Sequence, residues 1–235
     1  MGSDIEFVHP LPKASLVGDR SEWVLEQASG KKVLDVGCVD AGQTMERYKK
    51  GDMLHARLEK TCSGLIGVDV DQDGIAAMRQ LGFTNLLAVD VSESSLQVIE
   101  AVKNMMGGCD IILCGEILEH ILNMGNFLTG IREIAKAFTA VLIVTVPNAF
   151  SIRALPGIVR GVEYGHPDHK HVFSPLSLKT TLDQTGFSVQ KTLFYSNWRV
   201  PNTRLKKSLL AACNTSIFRW RPPLAEGLIM IAKAK

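Results

Sequence analysis

No stretch of the 235-residue sequence approaches the ~20 consecutive apolar residues that a membrane-spanning helix needs, so no such helix is expected. The opening residues, Met1 to Pro10, carry Asp4 and Glu6 and no apolar core, and do not read as a signal peptide. Glu6 stands where a myristoylation motif requires Ser or Thr. A charge bias is missing too: the formal net charge of +2 supplies no electrostatic argument for nucleic acid. Repeats and low-complexity segments are absent. So is any paired cysteine pattern, because Cys38, Cys62, Cys109, Cys114 and Cys213 are odd in number and irregularly spaced. Several lie in apolar runs, which reads as buried, reduced thiols in a cytoplasmic protein. What is present is an ordinary globular mixture, 46% hydrophobic and 21% charged. That is enough for a real core and too apolar for disorder, and at this length one domain over 1–235 is the expectation.

Strand-like and helix-like stretches alternate from about residue 20. Ser21–Ser29 reads as a helix, with Ser21 at its N-cap and Gly30 as its stop. Apolar runs follow at Lys32–Val36, Leu65–Val70, Asn85–Val89, Asp110–Cys114 and Ala140–Val146, with two more at Phe187–Phe194 and Leu228–Ala232. The first five are continuous in Val, Ile and Leu rather than alternating, the pattern of strands buried on both faces. The predicted fold is therefore α/β: a doubly wound, Rossmann-like, mostly parallel seven-stranded sheet with helices on both faces. The stretch Ile152–Pro175 is polar, rich in His and punctuated by Gly and Pro, as lids and substrate loops often are.

Three strands end in acid. The first runs Val33-Leu34-Asp35-Val36-Gly37-Cys38, the second Gly67-Val68-Asp69-Val70-Asp71, the third Ala88-Val89-Asp90-Val91. In doubly wound sheets ligands sit beyond the carboxyl ends of the strands, and a glycine there lets a ligand approach the backbone. An acid at the end of the second strand can accept hydrogen bonds from both hydroxyls of a ribose. Each feature taken singly also occurs as a plain tight turn or a solvated carboxylate. Asp69 follows Asp35 at more than the ~20 residues of the dinucleotide fingerprint, so the first crossover is long.

On these motifs the chain resembles the class I S-adenosylmethionine-dependent methyltransferases. The resemblance implies that Asp35, Gly37 and Cys38 sit in the loop around the methionine part of the cofactor. It implies further that Asp69 with Val70 holds the ribose, that Asp90 with Val91 meets the adenine, and that Gly115 lies at the sulfonium end. One departure stands out: Val39 replaces a glycine of the family's first loop, and the next glycine falls at Gly42. The run Cys109 to Ile121, with Cys114-Gly115-Glu116-Ile117-Leu118-Glu119-His120 at its centre, resembles one branch of the family. That branch includes ubiquinone-biosynthesis O-methyltransferases and small-RNA 2′-O-methyltransferases. Val146-Pro147-Asn148 and the stretch Asp168-His169-Lys170-His171-Val172-Phe173-Ser174-Pro175 fit it as well.

If Glu116 opens a helix, Glu119 and His120 are its i+3 and i+4 neighbours on one face. Two carboxylates and an imidazole then converge, a set suited to Mg²⁺, Zn²⁺ or another divalent ion, with His169 as a further ligand. The same residues also serve without metal, as helix caps or pocket walls. His120 and His169 are the candidate general bases, since His titrates near neutral pH. The basic stretch Arg204-Leu205-Lys206-Lys207, with Phe218, Arg219, Trp220 and Arg221, reads chiefly as a solvated helix and turn over the sheet edge.

The expected activity is methyl transfer from S-adenosylmethionine to the oxygen of a small or medium-sized acceptor: a natural product, sugar, quinone or lipid precursor. An RNA end is the less favoured acceptor. On this reading residues 1–30 form an N-terminal helical cap, and 152–175 and 197–223 are acceptor-side insertions. The rivals are a non-catalytic binding protein of the same fold and a nicotinamide-dependent oxidoreductase, whose glycine fingerprint is missing.

Overall fold

The computed structural model describes residues 8–163, 165–197 and 216–235. In chain order the elements are β1 (Ser15–Val17), α1 (Arg20–Ala28), β2 (Lys32–Val36), α2 (Thr44–Lys50), α3 (Leu54–Glu59), β3 (Gly64–Asp69), α4 (Gln72–Gln80) and β4 (Leu86–Ala88). Then follow α5 (Val91–Met106), β5 (Ile111–Gly115), α6 (Met124–Phe138), β6 (Val141–Pro147), α7 (Leu155–Val159), α8 (Pro175–Gln184), β7 (Phe187–Tyr195) and β8 (Gly227–Ala234). One mixed sheet has the order β1-β7-β8-β6-β5-β2-β3-β4. Every neighbouring pair is parallel except the two made by β8, which lies antiparallel between β6 and β7. The strand order reverses between β2 and β5, which pair in parallel, and this is the switch point where such sheets bind ligands.

The central strands are covered on both faces, as their unbroken apolar character requires. Leu34 and Val36 of β2, Ile66 and Val68 of β3, and Ile112 and Cys114 of β5 point to one face, against Val98 and Val102 of α5 and Leu128, Ile131 and Ile134 of α6. The intervening Val33, Leu65 and Leu113 point to the other face, against Val24 of α1 and Leu58 of α3. α5 and α6 cross closely enough that a Cβ on Gly130 would collide with the main-chain oxygen of Val91.

Most predicted strands fall within a residue or two of the observed ones. An eighth, β1, joins the sheet beside β7, so the 1–30 segment contributes a strand as well as a helix. That helix begins at Arg20, one residue before the predicted cap. Its N-cap is Asp19, whose carboxylate accepts from the Ser21 and Glu22 amides at 2.8 and 3.1 Å. The stretch 152–175 is not wholly irregular: a 3₁₀ turn leads into α7, and Pro175 is the first residue of α8 behind a Ser174 capping box. The basic stretch Arg204–Lys207 and Cys213 lie outside the described residues. Beyond them Phe218 is buried, and Trp220 is exposed under the Arg221 guanidinium at 4.7 Å. No helix among the described residues is long and apolar enough to cross a membrane.

Candidate active site

A cleft of 470 Å³ opens at the carboxyl ends of β2, β3 and β5, the place expected for a doubly wound sheet. On its β2 side the chain leaves the strand through Gly37, whose φ of +79° is open to glycine at little cost. An added Cβ would also come within 2.5 Å of the Ile117 side chain. The turn is tied to β3 by the Gly37 amide on the Val68 carbonyl at 2.8 Å. Val39 is accommodated by Gly74 of α4, which has no Cβ to meet the valine methyl. The Val39 amide donates to Asp69 Oδ2 at 2.9 Å, and the Asp71 amide to Oδ1 at 3.0 Å. Burial raises the Asp69 pKa and these amides oppose the rise, so the carboxylate is aimed by main-chain groups at the cleft wall it helps form.

Asp35, Gly37, Cys38, Asp69, Val70 and Gly115 all line this cleft, as do Glu116 and His120. Asp90 and Val91 do not. Asp90 is exposed and caps α5 by accepting from the Ser92 amide at 2.8 Å, while Val91 is buried under α6. Burial drives the Cys38 and Cys114 thiols far up, beyond the range in which a thiolate forms.

The helix predicted from Glu116 is not there. Glu116 sits at the end of β5 with φ +55°, a 3₁₀ turn covers Leu118–His120, and α6 starts only at Met124. Glu116, Glu119 and His120 consequently do not share a helical face. Non-glycine residues rarely hold a positive φ, and the strained position is fixed by a network. The Glu116 amide donates to the Thr145 carbonyl at 2.9 Å, and its Oε1 accepts from the Thr145 hydroxyl at 2.9 Å and the Tyr195 hydroxyl at 2.8 Å. Arg20, also buried, donates to Thr145 Oγ1 at 3.2 Å. Tyr195 reaches Glu116 across Gly227, where any Cβ would strike its ring. Burial and the neighbouring Glu116 carboxylate push the Tyr195 pKa well up, so it acts as a neutral donor.

Glu119 is 1% exposed and its Oε2 lacks a hydrogen-bond partner among the described residues. Burial first, then repulsion from Glu116, raise its pKa to about 8. Its carbonyl oxygen accepts from the Lys170 amide at 2.7 Å and the His171 amide at 3.2 Å, which pins the histidine loop to the strand-end turn. As a result His120 and His166, which line the cleft, meet His169, which packs against them without lining it, with ring centroids 4.8 to 5.6 Å apart and candidate ligand nitrogens within 4.8 Å of one another. His169 is shifted down, chiefly by burial and then by the imidazoles of His120 and His166, and is neutral near pH 7.

His55, Arg20 and Tyr195 were not legible as site residues. His166 was legible only as one member of a histidine-rich loop. The one available signal for His55 was Gly67 inside an otherwise bulky strand, a mark of close approach.

Residues 14–192 match a methyltransferase domain model. That is most of the chain. The chain belongs to the methyltransferase family. Within it the chain is 26% identical over 169 residues to the mitochondrial ubiquinone biosynthesis O-methyltransferase of Bos taurus, a match spanning 69% of this chain and 42% of that protein. It is 24% identical over 178 residues to the ubiquinone biosynthesis O-methyltransferase of Pseudomonas aeruginosa, spanning 73% of this chain and 71% of that one. Among solved structures the methyltransferase fold is shared with the small RNA methyltransferase HEN1, at TM-score 0.57 and 18% identity over 92% of this chain and 25% of that one. It is shared also with the SAH-bound magnesium protoporphyrin IX methyltransferase of Synechocystis PCC 6803, at TM-score 0.51 and 14% identity over 92% and 80%.

Proposed function

We propose that this methyltransferase uses S-adenosylmethionine to methylate the oxygen of a small or medium-sized acceptor such as a natural product, sugar, quinone or lipid precursor. The observation that carries the reading is the division of one cleft into two chemically different halves. One half, Gly37, Asp69 and Val70 with the buried cation Arg20, fits the cofactor. Asp69 retains acceptor capacity for ribose hydroxyls, Val70 offers a 65% exposed apolar side chain to a base, and Arg20 suits a carboxylate. The other half, around His120, His166 and His169, fits a hydroxyl that must lose a proton.

When bound, the cofactor supplies an electrophilic methyl on sulfur. The chain's own task is then to exclude water, align an acceptor lone pair and remove its proton. His169, neutral near pH 7, is the first choice of base, with His120 beside it. Glu116 is engaged on Oε1 by two hydroxyls and orients the floor of this half.

A second reading adds a metal. Three imidazoles suit Zn²⁺ or another borderline ion better than Mg²⁺, which prefers oxygen ligands. The convergence of His120, His166 and His169 favours this set over one built on Glu119, whose carboxylate is held inside the fold. A cytoplasmic location belongs to the same proposal and is supported by the free thiols of Cys38, Cys62, Cys109 and Cys114. The test is an acceptor screen over phenols, sugars, lipid-linked precursors and short RNA ends, run with EDTA and with added Zn²⁺ or Mg²⁺. Turnover of a hydroxyl acceptor is the expected result. Methylation confined to nitrogen or carbon acceptors would replace this reading.

A further inference from the structure

We propose that His55 is a positioning residue for the cofactor: it holds the Asp35 carboxylate aimed at the α-ammonium of the methionine moiety. The inference rests on the cofactor reading above. His55 lies on α3, within the long first crossover, and is 4% exposed. Its Nδ1 is 2.8 Å from Asp35 Oδ2, and both residues line the cleft. With Asp35 ionised the imidazole donates that hydrogen bond.

The fold makes room for this ring at some expense. Asp35 pairs across the sheet with Gly67, and a Cβ on Gly67 would lie 2.7 Å from His55 Cε1 and 2.8 Å from Cys38 Sγ. A glycine inside a strand weakens it, so the vacancy favours the ring and not the sheet. Phe83 meets the imidazole edge-on, with centroids 5.4 Å apart and planes at 75°, and limits its rotation. A buried carboxylate with its imidazole is seldom more stable than an apolar pair of the same size. Stability alone does not explain the pair.

What the pair achieves is a carboxylate of fixed direction. Oδ2 is taken by His55, and Oδ1 has no hydrogen-bond partner among the described residues, although Asp35 borders the cleft. A cationic donor completes it. Of the cofactor's hydrogen-bond donors, the ribose hydroxyls, the adenine amino group and the α-ammonium, only the α-ammonium is a cation, and the cofactor reading puts the methionine part beside the Asp35–Gly37 loop. Behind the ring lies a second pocket of 190 Å³, walled by His55 with Glu59, Cys62 and Asn85. The imidazole therefore also separates Asp35 from that pocket.

Two amides test the position of the donor. Asn at 55 places its nitrogen near Nδ1, whereas Gln places it near Nε2, beyond Asp35. Calorimetry would measure S-adenosylhomocysteine and 5′-methylthioadenosine, which lacks the amino-acid moiety, against wild type, H55N, H55Q and H55L. H55L and H55Q should bind S-adenosylhomocysteine about tenfold or more weakly, as loss of a charge-assisted contact implies. H55N should recover most of the affinity, and 5′-methylthioadenosine should change little in any variant. Should H55L not fold, the contrast between H55N and H55Q decides. Equal losses for both ligands, or equal binding by H55N and H55Q, would overturn the inference while leaving the cofactor reading in place. Failure of the wild-type chain to bind S-adenosylhomocysteine would overturn both.

Discussion

At the scale of single residues the cleft separates groups that were readable from those that were not. Asp69 was readable because it is one of three acids at successive strand ends, a pattern that a single solvated carboxylate does not produce, and main-chain amides hold it at the cleft. Asp69→Ala should weaken S-adenosylhomocysteine binding by about 2 kcal/mol through lost charge-assisted hydrogen bonds, and calorimetry would check it. Arg20 and Tyr195 were not readable, because each reaches the site from a distant part of the chain and neither neighbourhood carries a local motif. Glu119 has a role that its motif concealed. Its carboxyl keeps a proton to about pH 8 in the folded chain, whereas an ordinary Glu releases it near 4.5. The folded state thus binds more protons across that window, and stability should fall as pH rises through it. Glu119→Gln should remove this dependence, so its melting temperature should gain on wild type between about pH 5 and pH 8. A constant difference across the range would show that Glu119 does not titrate there. In the acceptor half, His169→Ala should lower turnover by roughly 10²–10⁴-fold, the usual effect of losing a general base, with cofactor affinity unchanged.

Among the elements, strands were more legible than turns. Continuous apolar runs fix which residues are buried on two faces, and pairing does the rest. β1 was missed because Ser15–Val17 is three residues long and gains its strand character only from pairing with β7. The supposed helix at Glu116 failed for a different reason. Its i, i+3, i+4 pattern is a helical spacing, but hydrogen bonds from Thr145 and Tyr195 hold Glu116 at a positive φ, and a local pattern does not reveal them. Helix packing supplies a clean test. Gly130 lets α6 lie against the main chain of Val91, so Gly130→Ala should destabilise by about 1–3 kcal/mol despite its better helix propensity. Urea unfolding would measure it, and a stabilised variant would mean that the two helices can separate without penalty.

For the whole molecule, ligand-linked stability distinguishes the rival cofactors. S-adenosylhomocysteine at about 100 times its Kd should stabilise the chain by ~2.7 kcal/mol, whereas NADH should leave the melting temperature unchanged. A shift with NADH instead would reverse the assignment. The doubly wound plan was visible in advance because the alternation of strand and helix is written along the chain. The meeting of His120 with His166 and His169 was only half visible, since it depends on main-chain bonds from the later loop to the Glu119 carbonyl.

The position of β8 also bears on the order in which the molecule can be assembled. It is the last of the described strands to leave the ribosome, yet it lies between β6 and β7. Until it emerges, β6 and β7 each present a free edge, and Tyr195 has no Gly227 across which to reach Glu116. Exposed strand edges invite pairing with other chains, so the nascent protein passes through an interval of vulnerability that ends when this strand inserts. The Glu116 side of the cleft is then completed only after β8 emerges, whereas β2, β3, β4 and β5, with Asp35 on β2 and Asp69 on β3, can already have come together.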